Sequence, residues 1–427
     1  MKIRYIYSAC VEIHHEGTVV LTDPWFTEGA YDGSWYQFPK IDDPLDVIQE
    51  PDAIYVSHIH PDHYDPKFLH QLFDKYGEKP ILIADFQAPY LVRKMAADGF
   101  KPVIVGPGGH QVGTVEVHIV PNETGSSSDI DSALIAHADG ATFLNLNDCA
   151  WNDAHVDQIH DLLQKNEWTV DMVALGYTGA GPFPQVYFDP EHERDMLLRK
   201  VEEKKEAFFA RYRRYCESFD ARFHLPFAGK YILGGHLAPL NKWRGVADAV
   251  EVLAFDDRAV VLADAGEGQI DLVSGEVVGR RTEPYPDAAM EQRIQEIQGA
   301  LMDYERDITT PYDKIPFARL LRAAYQRALD RSEVERPHWF VLELLEDGKP
   351  RDRFSLNCVE YEFLVNEEAP GEPYSKIHVD YRYLFGLMTG MYHWNNADVG
   401  SQFRCTRVPI DAFDEAAQAF LNFLCCV

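Results

Sequence analysis

Apolar and polar residues alternate with a period of two at the start of the chain. Residues 3–26 follow this alternation and then reach a continuous apolar run at 19–21, which is followed by Asp23 and Pro24. Period-two alternation predicts β-strands, and the acid and proline after the apolar run predict a strand that ends at a sheet edge.

The next part of the chain changes between strand-like and helix-like spacing. Short apolar runs predict strands, and segments with apolar residues three and four apart predict helices. The predicted strands are 53–56, 80–84, 103–105, 115–120, 141–147 and 170–175, and the predicted helices are 66–76, 88–98 and 190–219. This alternation predicts an α/β fold.

The pattern changes near residues 284–286, where two prolines lie close together. Helical spacing follows at 290–301 and 317–324. Later come predicted strands at 339–345 and 354–364, a segment at 383–389 and a last helix at 412–424. We therefore predict two domains, 1–284 and an α+β domain at 285–427. The second vaguely resembles sterol-carrier-like lipid domains, or it simply packs on the first.

Composition narrows the possible partners. The 427 residues include 69 acidic and 40 basic side chains, for a net charge of −29, which would repel the phosphates of nucleic acids and anionic membranes. We expect no nucleic acid partner. No apolar run is long enough for a membrane span, and the N-terminus does not read as a signal peptide. The seven scattered cysteines lack CxxC spacing and favour reduced thiols in the cytoplasm.

The densest chemistry follows the apolar run 53–56, where His58, His60, Asp62 and His63 fall within six residues. His58 and His60 are two apart at a strand end, so they point to the same side and can bind one ion. Asp62 and His63 lie in the following turn and can face a second ion. An exposed histidine cluster is the alternative, but this density favours a dinuclear metal centre over a closed structural zinc site.

The pattern His58-x-His60-x-Asp62-His63 resembles the signature loop of the metallo-β-lactamase fold. That fold is an αββα sandwich with two metal ions between its sheet edges. The resemblance implies an enzyme. It does not identify the reaction, because the same fold supports both hydrolytic and oxidative chemistry.

The resemblance also assigns residues elsewhere in the chain. It implies that Asp148, at the end of strand 141–147, bridges both metals, and that His236 completes the site of Asp62 and His63. It implies that Asp23 braces the metal loop through hydrogen bonds. Alternatively, Asp23 only forms the turn before the next residue, a proline.

The third motif departs from the family pattern. Where the fold normally presents a histidine, this chain has Glu123 after strand 115–120. A carboxylate there can complete the His58 and His60 site; Asp129, Asp131 or a vacant position are the alternatives. Replacing an imidazole with a carboxylate moves the preference from zinc toward iron or manganese. We expect two metal ions, with iron favoured over zinc or manganese.

Substrate contacts are harder to place. The aromatic loop 29–43 is long enough to cover an active site, or its rings serve only to pin the loop down. The glycine-rich stretch 176–184 permits close backbone approach to a ligand. The candidates for contact with a small-molecule substrate are Tyr177, Lys230 and His393.

Two enzyme families resemble this chain beyond the generic fold. Residues 22–25, 146–149, 176–184 and 226–229 resemble the catalytic domain of CMP-N-acetylneuraminate hydroxylase. The Rieske Cys-x-His and Cys-x-x-His pairs of that family are absent from these 427 residues, so electrons would come from an external donor. The second family is the di-iron β-hydroxylase of chloramphenicol assembly, which it resembles in a third-motif glutamate placed 25 residues before the bridging aspartate.

Three functions follow from these features. The first is a dinuclear iron oxygenase that hydroxylates or N-oxidises a small, anionic or nucleotide-linked substrate. The second is a dinuclear metallohydrolase that cleaves a phosphodiester, lactone or amide, with Asp62 and Asp148 in catalytic roles. The third is a degenerate metal-binding scaffold.

Overall fold

The computed structural model describes residues 1–123, 131–411 and 414–427. The strands, in chain order, are β1 (Lys2–Tyr7), β2 (Cys10–His15), β3 (Thr18–Thr22), β4 (Trp35–Tyr36), β5 (Ala53–Tyr55), β6 (Ile81–Ala84), β7 (Val103–Val105), β8 (His110–Val112), β9 (Val115–Pro121), β10 (Ser132–Ala138), β11 (Ala141–Asn145), β12 (Met172–Gly176), β13 (Phe223–Phe227), β14 (Ile232–Leu233), β15 (Gly268–Asp271), β16 (Val277–Val278), β17 (Trp339–Glu346), β18 (Lys349–Asn357), β19 (Phe363–Val365), β20 (Tyr374–Asp380) and β21 (Arg404–Val408).

Helices connect and cover these strands. They are α1 (Ala30–Gly33), α2 (Pro44–Val47), α3 (Pro66–Tyr76), α4 (Tyr90–Ala97), α5 (Asp153–Lys165), α6 (Arg194–Phe219), α7 (Asp287–Ile297), α8 (Asp303–Asp307), α9 (Phe317–Arg331), α10 (Tyr381–Thr389), α11 (Trp394–Val399) and α12 (Glu415–Asn422), with 3₁₀ turns at Gly235–Trp243, Ala249–Ala254 and Tyr312–Lys314.

Two large sheets form the first part of the chain, and β4 pairs with β14 beside them. The first has the strand order β16-β15-β1-β2-β3-β5-β6-β7, and the second has the order β13-β12-β11-β10-β9-β8. Strands β3, β5, β6 and β7 run parallel, as do β11, β12 and β13. The carboxyl ends of parallel strands meet at one edge of a sheet, which is where the open sheets of α/β proteins place their ligands.

Apolar side chains divide this part into four layers. Alternate residues of β10 face opposite ways: Leu134 and Ala136 pack between the two sheets, whereas Ala133 and Ile135 pack against α5 and α6. Helices α3 and α4 cover the other face of the first sheet. The period-two pattern of the strands therefore produces the αββα sandwich expected from the sequence.

The chain after α7 contains a third sheet, with the order β19-β18-β17-β20-β21. Its packing joins it to the first part, because Trp35 and Tyr231 share one apolar cluster with Leu321 and Phe340. The predicted strand 354–364 is in fact divided between β18 and β19, and residues 383–389 lie within helix α10.

The longest helix, α6, is charged along much of its length. Within residues 1–123, 131–411 and 414–427, no helix combines the length and apolar character needed to cross a bilayer.

Candidate metal centre

Four chain segments converge at one edge of the sandwich. The metal loop, residues 57–65, follows β5, and Asp23 follows the neighbouring strand β3. Asp148 follows β11, and Asp131 directly precedes β10. The parallel pairing of β3 with β5 brings Asp23 beside the metal loop, where its backbone N–H donates to the carbonyl of Tyr55 at 2.9 Å.

Asp23 is buried and braces the metal loop with both carboxylate oxygens. Oδ1 accepts from the backbone N–H of Ser57 at 2.7 Å, and Oδ2 accepts from the Ser57 hydroxyl at 2.7 Å. Oδ2 also lies 3.0 Å from Nδ1 of His63. This contact at Nδ1 fixes the His63 ring, so that its Nε2 faces the candidate metal centre. A carboxylate at one ring nitrogen commonly orients a metal-binding histidine in this way.

The donor atoms form a compact cluster. One donor atom from each of His58, His63 and Asp148 lies within 4.8 Å of the other two. Nε2 of His63 is 3.7 Å from Asp148 Oδ1 and 3.6 Å from Asp62 Oδ2. Nε2 of His58 lies 2.9 Å from Nδ1 of His60. The four side chains of the predicted loop motif therefore lie together with Asp148.

Two buried polar atoms in this cluster have no hydrogen-bond partner among the described residues. They are Nε2 of His60 and Oδ1 of Asp148. A buried polar atom without a partner is costly unless a ligand or an ion satisfies it. Imidazole nitrogens and carboxylate oxygens are donors that zinc, manganese and iron all accept. The residues present therefore fit a metal centre.

Burial and mutual charge shift the pKa values of the cluster in opposite directions. Burial lowers the pKa values of His58 and His60 to about 4. Burial also disfavours the charged form of His63, but the carboxylates around it, with Asp148 the strongest, outweigh burial and raise its pKa to about 10. Burial opposes ionisation of Asp148 as well, yet the neighbouring histidines, led by His63, hold its pKa far below the usual range. The cluster therefore strongly favours positive charge beside Asp148.

Glu123 does not join this cluster in the structure. Its carboxylate accepts hydrogen bonds from the backbone and side-chain N–H groups of Gln87, both at 3.0 Å. Asn122, one position earlier, pairs with Asp131 across the strand ends, where the Asn122 N–H donates to the Asp131 carbonyl at 2.8 Å. Successive side chains at a strand end point to opposite sides.

Asp131 lies where Glu123 was expected. Its Oδ1 is 3.6 Å from Nδ1 of His58, and its carboxylate interacts electrostatically with Asp148 and His60. Burial and the charge of Asp148 raise the pKa of Asp131 to about 7. Asp131 is one of the alternatives that the sequence left open; Asp129 lies outside the described residues.

His236 also has surroundings other than those expected. It is exposed near the start of a 3₁₀ turn, and the charged groups around it are Glu305, Asp380 and Arg382. The preceding residue, Gly235, has φ +53°, and a Cβ there would lie 2.7 Å from the carbonyl oxygen of Ala300. This close approach directs His236 toward the second half of the chain rather than toward the metal loop.

The three proposed substrate contacts have other partners. Tyr177 is buried in the apolar layer beneath α6. The ammonium of Lys230 donates to both carboxylate oxygens of Asp264, at 2.7 and 2.8 Å. His393 is exposed and caps α11, where its Nδ1 accepts from the backbone N–H of Asn395 at 3.2 Å.

Two residues at the cluster were not assigned a role at the metal centre from the sequence. The hydroxyl of buried Tyr31 donates to Asp62 Oδ1 at 2.6 Å. Arg211 lies near Asp148. A Cβ placed on Gly176 would be 3.5 Å from Arg211 Nη2 and 3.5 Å from Asp148 Cα. Tyr31 belongs to an aromatic loop that the sequence did mark as close to the site, whereas Arg211 sits among many charges on α6, where no local pattern distinguishes it.

The fold and the donor cluster define a metal-binding domain of the metallo-β-lactamase type. Residues 2–162 match the family described as the β-lactamase superfamily domain. This N-terminal part of the chain has the fold of the metallo-β-lactamases.

Curated proteins give similarities at moderate identity. The chain is 28% identical over 277 residues to a protein of Mycolicibacterium smegmatis named as a Rieske 2Fe-2S iron-sulfur protein, covering 61% of this chain and 49% of that protein. It is 23% identical over 238 residues to the cytidine monophosphate-N-acetylneuraminic acid hydroxylase of Danio rerio, covering 54% of this chain and 38% of that protein. The chain thus spans about half or less of these relatives' own lengths.

Solved structures give more distant similarities. The di-iron β-hydroxylase CmlA from Streptomyces venezuelae is 15% identical with a TM-score of 0.41, covering 65% of this chain and 54% of that one. The isothiocyanate hydrolase from Delia radicum gut bacteria is 16% identical with a TM-score of 0.41, covering 64% of this chain and 99% of that one.

Proposed function

We propose that this protein is a dinuclear non-haem iron oxygenase that hydroxylates or N-oxidises a small substrate. The observation that carries the proposal is the mixed donor cluster, in which the four side chains of the metal loop lie with two carboxylates, Asp131 and Asp148. Carboxylate-rich donor sets favour iron or manganese over zinc. The argument for iron therefore rests on Asp131 in place of Glu123.

The donors divide into two sets. In this proposal His58, His60 and Asp131 would hold one ion, Asp62 and His63 would hold the other, and Asp148 would be available to both. Bound iron would supply dioxygen chemistry, which zinc does not.

The protein's own residues have the task of positioning these donors. Asp23 and Ser57 fix the ring of His63 through the contacts at its Nδ1. Tyr31 fixes one oxygen of Asp62 and leaves the other toward His63. Donors held in this way need little rearrangement when they bind a metal.

The names of the relatives support the oxidative class. An N-acetylneuraminic acid hydroxylase and a Rieske-type protein both belong to oxidative chemistry. The Rieske ligand pairs do not occur in these 427 residues. We infer that the electrons come from a donor outside these 427 residues.

A dinuclear hydrolase is the second candidate. The position of Glu123 favours this candidate. A glutamate ligand in the third motif was the feature that pointed to an oxygenase, but the Glu123 carboxylate accepts hydrogen bonds from Gln87 instead. In a hydrolase the same cluster would activate a water molecule for attack on an ester or amide.

Metal analysis and two assays separate these functions. Protein purified without added metal should contain close to two iron atoms per chain and should consume oxygen when a chemical reductant and substrate are added. Zinc or manganese in place of iron, with hydrolysis of bis-p-nitrophenyl phosphate, would support the hydrolase instead. Absence of bound metal would leave only the scaffold.

A matched pair of histidine variants makes the result specific. His60→Ala should lose metal and activity, because its unpartnered Nε2 belongs to the cluster. His192→Ala is the control, because that side chain is 78% exposed and pairs with Asp189 outside the site.

A further inference from the structure

Arg244 is a buried cation that forms no ion pair with any acidic side chain in the described part of the chain. Arg244 is 4% exposed, and its Nε and Nη1 atoms have no hydrogen-bond partner among the described residues. The titratable groups that act on it most are the hydroxyls of Tyr231, Tyr7 and Tyr177, and burial raises the pKa of each of them, so they carry no charge near pH 7. Its guanidinium lies 4.2 Å from the centre of the Tyr231 ring. Because arginine keeps its proton in proteins, a full positive charge is buried here.

Lys204 is a second buried cation close to the first. It is 7% exposed, and its ammonium donates to the carbonyl of Phe183 at 2.7 Å. Burial, and after it the charge of Arg244, lowers the pKa of Lys204 to about 7.

The backbone explains why these two cations are neighbours. Gly245 has φ +65°, and a Cβ there would lie 2.7 Å from the carbonyl oxygen of Val201. The turn that carries Arg244 therefore presses on α6 three residues before Lys204. A side chain at position 245 would push the turn away and separate the two cations.

Aromatic rings connect this pair of cations to the metal loop. The Tyr231 ring stacks on Trp35 with centroids 3.4 Å apart and an interplanar angle of 6°. Trp35 packs on Tyr31 at 4.4 Å, and Tyr31 donates to Asp62. The cations therefore lie behind an aromatic wall that continues to the donor cluster.

Two buried cations that lie close together are unfavourable by themselves. Buried charges are normally paired, because removal from water is costly and a fixed partner offsets the loss. The chain has 69 acidic residues, yet the strongest titratable neighbours of Arg244 are phenols. An anionic ligand would supply the missing partner.

We propose that Arg244 and Lys204 bind an oxyanion group, a carboxylate or a phosphate, of the substrate that reacts at the metal loop. This assignment rests on the proposed function. The planar guanidinium suits two-point binding of such a group, and the ammonium adds a second, point-like charge. The aromatic wall then contacts the part of the substrate between the anion and the reacting atom.

A purely structural role for Arg244, packed on Tyr231, predicts a different effect of its removal on the melting temperature. A structural arginine stabilises the ligand-free protein through its cation–π contact, so its removal lowers the melting temperature. An arginine kept for a ligand is unfavourable without that ligand, so Arg244→Met should leave the melting temperature of the ligand-free protein unchanged or raise it.

The experiment measures melting temperatures with inorganic phosphate, with acetate and with chloride at equal ionic strength. It uses the full chain both as purified and after metal removal, so that binding to metal is separated from binding to the cations. At a hundredfold excess over Kd we expect phosphate or acetate to raise the melting temperature of wild type by about 3–5 °C relative to chloride. Arg244→Met and Lys204→Met should lose this rise in metal-free protein.

Arg258→Met is the control, since Arg258 is half exposed and pairs with Asp220 at 2.7 Å. It should respond like wild type. If Arg244→Met does not fold, Arg244 has a structural role as well, and Arg244→Lys and Lys204→Met then test anion binding by itself: a weakened response in both supports the site, and a wild-type response in either overturns it. A wild type without a specific rise, or variants that respond as wild type does, would overturn the proposal.

Metal content measured on the same samples keeps the two proposals apart. Wild type that binds iron but ignores both anions sinks only the oxyanion site. Wild type without metal that still responds to phosphate through Arg244 sinks the oxygenase and keeps the oxyanion site.

Discussion

Tyr31 donates a 2.6 Å hydrogen bond to Asp62, which connects the aromatic loop to the metal loop. Tyr31 has φ +55°, a left-handed conformation that is uncommon for a bulky residue. The side chain of Gln402 holds that conformation by donating to the Tyr31 carbonyl at 2.8 Å. A residue from the end of the chain thus fixes a residue that positions a candidate metal ligand.

Tyr31→Phe should weaken metal binding. The change keeps the ring but removes the hydrogen bond that orients Asp62, and partners of this kind typically contribute about 10-fold or more in metal affinity. Competition with a chelator measures the effect. Tyr76→Phe removes a hydroxyl that donates to the Ile48 carbonyl at 2.9 Å, on the far side of α3, and should bind metal as wild type does. Equal affinities in wild type and Tyr31→Phe would contradict the role given to Tyr31.

Asp23→Asn should weaken metal binding more than Ser57→Ala. The asparagine amide cannot accept at both of the positions that now contact Ser57 and His63. The His63 ring then loses its orientation, and we expect metal affinity to fall by roughly 10- to 100-fold. Ser57→Ala keeps the carboxylate and should have the smaller effect. Titration with Fe(II) under anaerobic conditions measures both, and the reverse order would show that the serine, not the carboxylate, is the main brace.

Asp131→Asn and Glu123→Gln form the sharpest pair. Asp131 lies 3.6 Å from His58, whereas Glu123 bonds with Gln87. Asp131→Asn should therefore lower metal affinity by more than about 10-fold, since it removes a direct donor rather than an orienting group, and Glu123→Gln should leave metal content unchanged. Elemental analysis after dialysis against a chelator distinguishes them. Metal loss from Glu123→Gln alone would restore the ligand expected from the sequence.

Asp32 should make stability depend on pH. Burial raises its pKa to about 7, although the hydrogen bond from Tyr383 at 2.6 Å opposes this. Because the folded pKa lies above the unfolded value, the folded protein keeps a proton that the unfolded chain releases. The stabilisation is complete below about pH 4 and is lost as the pH rises toward 7.

Urea unfolding at pH 5 and pH 8 measures this effect. Wild type should lose on the order of 1–2 kcal/mol more than Asp32→Asn between these values. Asp42→Asn, at a side chain that is 83% exposed, should follow wild type. The same pH dependence in all three proteins would assign it to other groups.

The metal loop could be predicted from the sequence because its donors are close in the chain and follow a strand. Asp148 was expected from the resemblance, and it lies three residues after the end of β11. The choice between Glu123 and Asp131 could not, because it depends on which face of a strand end each side chain takes, and a shift of one residue reverses that face.

Other features could not be predicted because they depend on contacts between segments that are distant in the sequence. The direction of His236 depends on contact between Gly235 and Ala300, and the position of Tyr31 depends on Gln402. The αββα sandwich was expected from the resemblance of the metal loop, whereas strand β10, with Leu134 and Ile135 on opposite faces, was not among the predicted strands. Sequence periodicity predicts which side chains share one face of a helix or strand, but it does not predict which distant segment packs against that face.

The bond from Gln402 to Tyr31 constrains how this protein can be engineered or can diverge. Substitutions that shift the third sheet also shift Gln402, and through it the loop that steadies Asp62. A library aimed at new substrates through the second half of the chain will therefore also select on metal retention, so variants should be screened for both traits together.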